Sequence, residues 1–412
     1  MKTNYGFWAH LYWLLLSLPL LFPSNGFGQV ISIDEFLQTN LASKQITQTF
    51  SYDCPDSYYT STYSDKYLSI TLSHQKTTNT DRGPRKVYDP YRFVIFNSQG
   101  ELLNIQPEYE QFRIAGFLEG ESDYYVLQQW SGNNGEVGVY DMEGDLVKPL
   151  NCGGYIYCSP TGKFYYHSGF ESLLDIYDDK GDNLFGIPTV PDPFVATAVS
   201  DSTLLVFKKT TLSFWNIKTQ KIIWESDIPG KQGGIVDDLS SHIEFSIPGN
   251  TIALRGYYGC YCFDFQGKFL WADEDYGFNK NTLTYMGVSK SSGDVVIIYS
   301  KFRNQHSWFA KIFNHEGVLL GEHEIKAGDD VKFSGTTSST AMVFDDYIFV
   351  LISVSINGRN RENATCILYK ENDRWISTIV SGIWYYLKDD RQEREIVGYD
   401  LNSRQVRGFQ IR

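Results

Sequence analysis

Val137-Gly138-Val139-Tyr140-Asp141-Met142-Glu143-Gly144-Asp145-Leu146-Val147 is the stretch whose reading decides the fold. Alternating apolar residues lead into an aromatic residue and an Asp, and a Gly follows shortly after. Asp can hydrogen-bond its own backbone two residues on, and Gly supplies the positive φ of a tight turn. Leu146-Val147 then opens a second apolar run. The stretch reads as a β-hairpin.

The same pattern recurs along the chain. It appears at Phe96-Asn97 with Gly100, Tyr177-Asp178 with Gly181, and Trp215-Asn216 with Thr219. It returns at Phe263-Asp264 with Gly267 and at Phe313-Asn314 with Gly317. Tyr399-Asp400 keeps the pair but has Ser403 in place of Gly, and Tyr369-Lys370 with Asp373 is a degenerate copy. The mean interval is near that of a four-stranded propeller blade, roughly 40–50 residues. Two further strands precede most hairpins, as at Tyr155-Ile156-Tyr157 and Phe164-Tyr165-Tyr166 around a Ser-Pro-Thr-Gly-Lys turn.

The fold class is therefore all-β: a single β-propeller of eight four-stranded blades. Seven is the alternative count, should the unit around Tyr369 be an insertion. Only three strands fit after Thr378, whereas the early strand Ile46 to Ser51 has no unit of its own. That strand is expected to complete the last blade and close the ring, which removes exposed edges.

Asn216-Ile217-Lys218-Thr219-Gln220-Lys221-Ile222-Ile223-Trp224 resembles the tryptophan repeat of PQQ-like (quinoprotein-like) propellers, Asp-x-x-Thr-Gly-Lys-x-x-Trp, with Asn and Gln replacing Asp and Gly. Asp264 to Trp271 resembles it with one residue deleted. The Ser-Pro-Thr-Gly-Lys turn resembles that of WD-repeat propellers. The resemblance implies the fold over residues 45–412 and no particular activity, because propellers host unrelated functions.

Composition agrees. Tyr (29) and Phe (27) far outnumber Met (4), and Gly is plentiful at 35, a balance that favours strands and turns. A net charge of −13 argues against nucleic acid, which needs clustered Lys and Arg.

Lys2 and His10, the apolar run Leu11 to Phe22, and small residues Gly26 and Gly28 before Gln29 read as an export signal. The run contains Pro19 and is shorter than the roughly twenty residues of a membrane span. The chain is thus expected to divide into a signal peptide (1–28), an N-terminal segment (29–45) and a propeller (46–412). A periplasmic or secreted monomer follows, with no transmembrane segment after cleavage and no Cys near the cleavage point to accept lipid. Cys54, Cys152, Cys158, Cys260, Cys262 and Cys366 allow fifteen disulfide pairings, which the sequence leaves open.

Catalytic motifs are sparse. A PQQ-dependent dehydrogenase would carry an adjacent Cys pair, but Tyr261 separates Cys260 from Cys262. No cofactor is expected. Asp273, Asp275 and Asn279 around Gly277 form a weak calcium candidate, with Gly misplaced for the known loop and no closing Glu. No Gly-x-Ser-x-Gly elbow is present.

The long loops carry more. Loops joining second to third strands share one propeller face. The longest are read at 74–92, 301–308, 358–363 and 388–395. Arg82, Arg85, Lys86, Arg303, Arg359 and Arg361, with Tyr88 and Trp308, make the first three of these loops basic and aromatic in an acidic chain. Arg with aromatics is the composition of binding hot spots. The expected function is a non-enzymatic scaffold that binds a protein or glycan through this face. An enzyme acting on a carbohydrate or other small molecule in the central channel is the alternative.

Overall fold

The computed structural model describes residues 30–40, 46–54, 57–64, 66–80, 83–97, 101–105, 112–129, 137–150, 156–167, 173–188, 194–229, 242–256, 258–274, 276, 281–301, 307–326, 331–344, 347–356, 361–371, 374–390 and 393–411. Period-two patterning produces antiparallel four-stranded sheets, and eight of these blades surround an axis. Each begins with its innermost strand. Blade 4 is representative: Phe194–Ser200, Thr203–Lys208, Thr211–Asn216 and Lys221–Asp227. Its second strand is mostly buried, its third is half-buried, and its outermost strand is mostly exposed. Apolar clusters fill the spaces between blades.

The repeated hairpin motif forms the turn from third to fourth strand in blades 1–7. In blade 2, Gly144 has φ 99° and donates its N–H to the Asp141 carbonyl. The Asp141 carboxylate accepts from the N–H of Asp145 at 2.8 Å. In blade 4 the turn is one residue longer, so the positive φ falls on Gln220 (56°) rather than on Thr219.

These turns also join neighbouring blades. Trp224, on the outer strand of blade 4, donates its indole N–H to the Phe265 carbonyl in the turn of blade 5. Its ring lies where a Cβ on Gly267 would stand, 2.8 Å away. Trp271 repeats this toward blade 6, donating to the His315 carbonyl beside Gly317. First-to-second turns link as well: Thr161 of blade 3 donates N–H and hydroxyl to the Asp201 carboxylate of blade 4.

The ring closes as the sequence predicts. Blade 8 comprises Ile383–Asp390, Glu393–Asp400 and Gln405–Ile411, with Ile46–Asp53 outermost. The closing pairs run antiparallel from Ile46 opposite Ile411 to Asp53 opposite Gln405. Residues upstream add a second fastening. Val30–Ile31 pairs in parallel with the outer strand of blade 7. The helix Ile33–Asn40 then buries Ile33, Phe36 and Leu37 in the cluster shared by blades 7, 8 and 1. Ser32 caps this helix through the Glu35 N–H. Arg407 ties the parts together. It bonds both carboxylate oxygens of Asp34 at 2.8 and 3.0 Å, the Asp400 carboxylate at 3.2 Å and the Gln48 side chain at 2.9 Å.

Blade 8 corrects one expectation. Residues 388–395 were expected to join second to third strands. Because Ile46–Asp53 supplies the outermost strand, Ile383–Asp390 is innermost. The connection after it is a first-to-second turn and opens on the opposite face. The Tyr399-Asp400 turn is likewise the second-to-third turn of its blade, with Arg404 taking the positive φ. A buried node starts this blade: the Thr365 hydroxyl donates to the Gly382 carbonyl and accepts the Trp384 N–H.

Candidate functional site

The second-to-third connections gather on one face, and two of them are enlarged. In blade 4 the strands flanking this connection have 6 residues each. In blade 1 they are Tyr67–Thr80 and Gly83–Asn97, with 14 and 15 residues. The segment 74–92, expected as a loop, is therefore mostly a two-stranded ribbon. Its ladder passes through a bulge at Ser73/His74 and continues to Thr80 opposite Gly83. At about 3.3 Å per residue the ribbon extends roughly 20 Å past the blade. Polar and charged residues, with no long apolar run, suit a ribbon bearing no core face.

Register places the predicted binding positions on this ribbon. Arg85 lies opposite Thr78, Lys86 opposite Thr77 and Tyr88 opposite Gln75. Successive positions alternate faces, so the Lys86 and Tyr88 positions share one face and Arg85 occupies the other. Arg82 lies in the connection, outside the described residues.

Blade 7 carries the second enlarged hairpin, Tyr347–Ile356 and Arg361–Glu371, with 10 and 11 residues. Arg361 opens its second strand, opposite Ser355. Arg359 and Arg303 lie outside the described residues. The two hairpins stand on either side of blade 8 around the ring.

Trp308 is placed elsewhere. It is 5% exposed, and its ring stacks on Phe333 at 4.5 Å and packs beside Tyr285. It is a core ring between blades 6 and 7, not a surface ring of the binding face. Its strand pattern, apolar on both sides through Trp308-Phe309-Ala310, carries that signal.

The calcium candidate is also redirected. The Asp273 carboxylate accepts from Lys311 Nζ at 2.9 Å and from the Tyr276 hydroxyl at 2.7 Å. Lys311 sits between the rings of Tyr276 and Tyr299. This carboxylate already has a resident ammonium partner. Asp275 and Asn279 lie outside the described residues.

Between the innermost strand of blade 5 and the first-to-second turn of blade 6, sequence reasoning missed a cluster of charge. His242 Nε2 lies 2.8 Å from Glu244 Oε1, and Lys290 Nζ lies 3.5 Å from Glu244 Oε2. Burial raises the Glu244 carboxyl, but the Lys290 ammonium and the His242 hydrogen bond outweigh it and hold the group below the usual carboxylate range. Its members come from blades 5 and 6, so no spacing rule reveals it. Cys158, Cys260, Cys262 and Cys366 are unbridged, and Cys152 lies outside the described residues. Burial pushes the Cys158 and Cys366 thiols up to about 12, which leaves them unreactive as nucleophiles.

No family model matches the chain, and no curated protein matches it. Solved structures do. Hsv2 of Kluyveromyces marxianus superposes with a TM-score of 0.50 at 9% identity, over 79% of this chain and 97% of that one. Kluyveromyces lactis Hsv2 gives 0.49 at 10% identity, over 81% and 97%. A eukaryotic initiation factor gives 0.49 at 12% identity, over 89% and 98%. At 9% identity the likeness to the Kluyveromyces marxianus protein is one of fold alone.

Proposed function

We propose that this chain is an exported, monomeric binding scaffold without catalytic activity of its own, which engages an acidic protein or glycan through the face bearing the second-to-third hairpins. The observation that carries the reading is the pair of enlarged hairpins in blades 1 and 7, which bring basic positions to one face of a chain of net charge −13. Loops and hairpins held by a rigid scaffold are the usual site of recognition. Export rests on the leader-like residues 1–28. The repeat type we assign is quinoprotein-like, supported by the matching docks of Trp224 and Trp271.

The test is retention of the chain on immobilised acidic polysaccharide and on exported proteins from its own source, with elution by salt. Replacing Arg82, Arg85 and Arg359 by Glu abolishes retention if the reading is right. Unchanged retention of that variant overturns it.

A further inference from the structure

The dock that joins successive blades is built at one register position. Trp224 stands opposite Phe214, just past the irregularity in the third-to-fourth pairing of blade 4. Trp271 stands opposite Cys262 at the same place in blade 5. In blade 2 the equivalent residue is Lys148, opposite Val139. Its ammonium donates to the Asp179 carbonyl, the acceptor position of blade 3 that corresponds to Phe265 and His315. In blade 3 it is Phe185, opposite Ile176, with its ring near Trp215 of blade 4. Four blade junctions therefore fill this position with a large side chain.

At the junction of blades 6 and 7 the equivalent residue is Gly321, opposite Ile312. A Cβ built there meets no atom within 4 Å. Beside it lies a groove of about 280 Å³. Val296, Ile312, Leu320, Phe344 and Trp375 supply apolar walls. The polar lining is Ser289 and Asp294 on the first-to-second turn of blade 6 and Lys370 at the end of the third strand of blade 7. Lys370 Nζ lies 5.1 Å from the Trp375 ring centre, and the residue is exposed.

We propose that this groove is a binding slot for a small planar aromatic acid of the indole class. The molecule itself defines the shape, because an indole occupies the equivalent space at the two preceding junctions. The flat ring takes the apolar slot beside Gly321, against Ile312 and Leu320. The ring N–H meets the Asp294 carboxylate, and the carboxylate of the ligand meets the Lys370 ammonium. An apolar cleft with a few oriented polar groups is the ordinary composition of a small-molecule site. The slot lies on the face of the third-to-fourth turns, opposite the enlarged hairpins, so it stands or falls independently of the scaffold reading.

The test is calorimetric titration of the folded chain with indole-3-acetate. Saturable binding with a dissociation constant below about 1 mM is expected. Gly321→Trp, which supplies the ring from within, is expected to abolish binding while retaining the wild-type melting temperature or exceeding it. Lys370→Glu, an exposed change, is expected to weaken binding at least about tenfold, a loss of about 1.4 kcal/mol, while binding of uncharged 3-methylindole stays unchanged. Absence of saturable binding up to about 1 mM overturns the proposal. So does undiminished indole-3-acetate binding by Lys370→Glu or by folded Gly321→Trp.

Discussion

Trp224 donates its indole hydrogen to the carbonyl oxygen of Phe265 at 3.0 Å, across the boundary between blades 4 and 5. The same ring covers Gly267, whose φ of 82° shapes the turn that presents the carbonyl. One side chain therefore fixes both the spacing and the turn geometry of its neighbour. Truncating Trp224 to Ala is expected to cost about 2–4 kcal/mol, below the full value for a completely buried ring. Trp224→Phe keeps most of the packing and loses the hydrogen bond, costing about 1 kcal/mol. Urea unfolding of the two variants separates packing from hydrogen bonding; equal losses would contradict the assignment.

Gln220 occupies the left-handed region in the turn of blade 4. That conformation costs an L-residue about 1–2 kcal/mol, and Gly escapes most of it. Gln220→Gly is expected to raise stability by up to about 1 kcal/mol, once the greater unfolded-state freedom of Gly is deducted. Gly267→Ala should lower it by more than about 1 kcal/mol, because its new methyl would also meet the Trp224 ring. Opposite signs for the two substitutions are the diagnostic result in equilibrium unfolding.

Arg407 is the fastening point of the ring. Its guanidinium is 11% exposed and the Asp400 carboxylate beneath it 5% exposed. Arg407→Met strands that carboxylate without its charge partner, and a loss of about 3–5 kcal/mol is expected. Asp34 is 53% exposed, so Asp34→Asn should cost less than about 1 kcal/mol. Denaturant midpoints of the two variants measure the contrast.

His323 links the outer strands of blades 6 and 7 through a 3.1 Å contact of its Nε2 with the Ser377 hydroxyl. Burial lowers its pKa below the ordinary 6.5. The folded state therefore favours the neutral ring. The stability this provides is fully present above about 6.5 and is lost as pH falls through the lowered folded value. Melting temperatures should fall across that acidic window, and His323→Gln should flatten that part of the curve. Parallel curves for the two proteins would remove His323 from the account.

Strand composition and the aromatic-Asp turns made the architecture legible, because both act within a few residues of each other. Ring closure was legible too, since Ile46 to Ser51 had no local partner and the C-terminus lacked a strand. The eight motif copies matched eight blades through a different arrangement, however. A ring closed by its N-terminal strand has no third-to-fourth turn in the last blade. The copy at Tyr399-Asp400 is another turn, which is why the 388–395 connection was assigned to the wrong face. Trp308 and Asp273 were misjudged for a related reason. Their partners, Phe333 and Lys311, lie in other strands, and linear spacing does not report contacts between strands. The vacancy at Gly321 became visible only when register aligned it with Trp224 and Trp271.

The seam between Ile46–Asp53 and Gln405–Ile411 has a mechanical consequence. Ile46 and Ile411 sit opposite each other at the end where the two segments leave the sheet. A pull between them loads the ladder one pair at a time, as a zipper is opened, rather than shearing all its bonds together. The strand pairing alone would make a weak joint. The clamp of Arg407 on Asp34, near the far end of the same ladder, ties the C-terminal strand to the helix that precedes Ile46–Asp53. Tension arriving along the N-terminal segment must therefore break an ion pair and extract Phe36 and Leu37 from the core before peeling can begin.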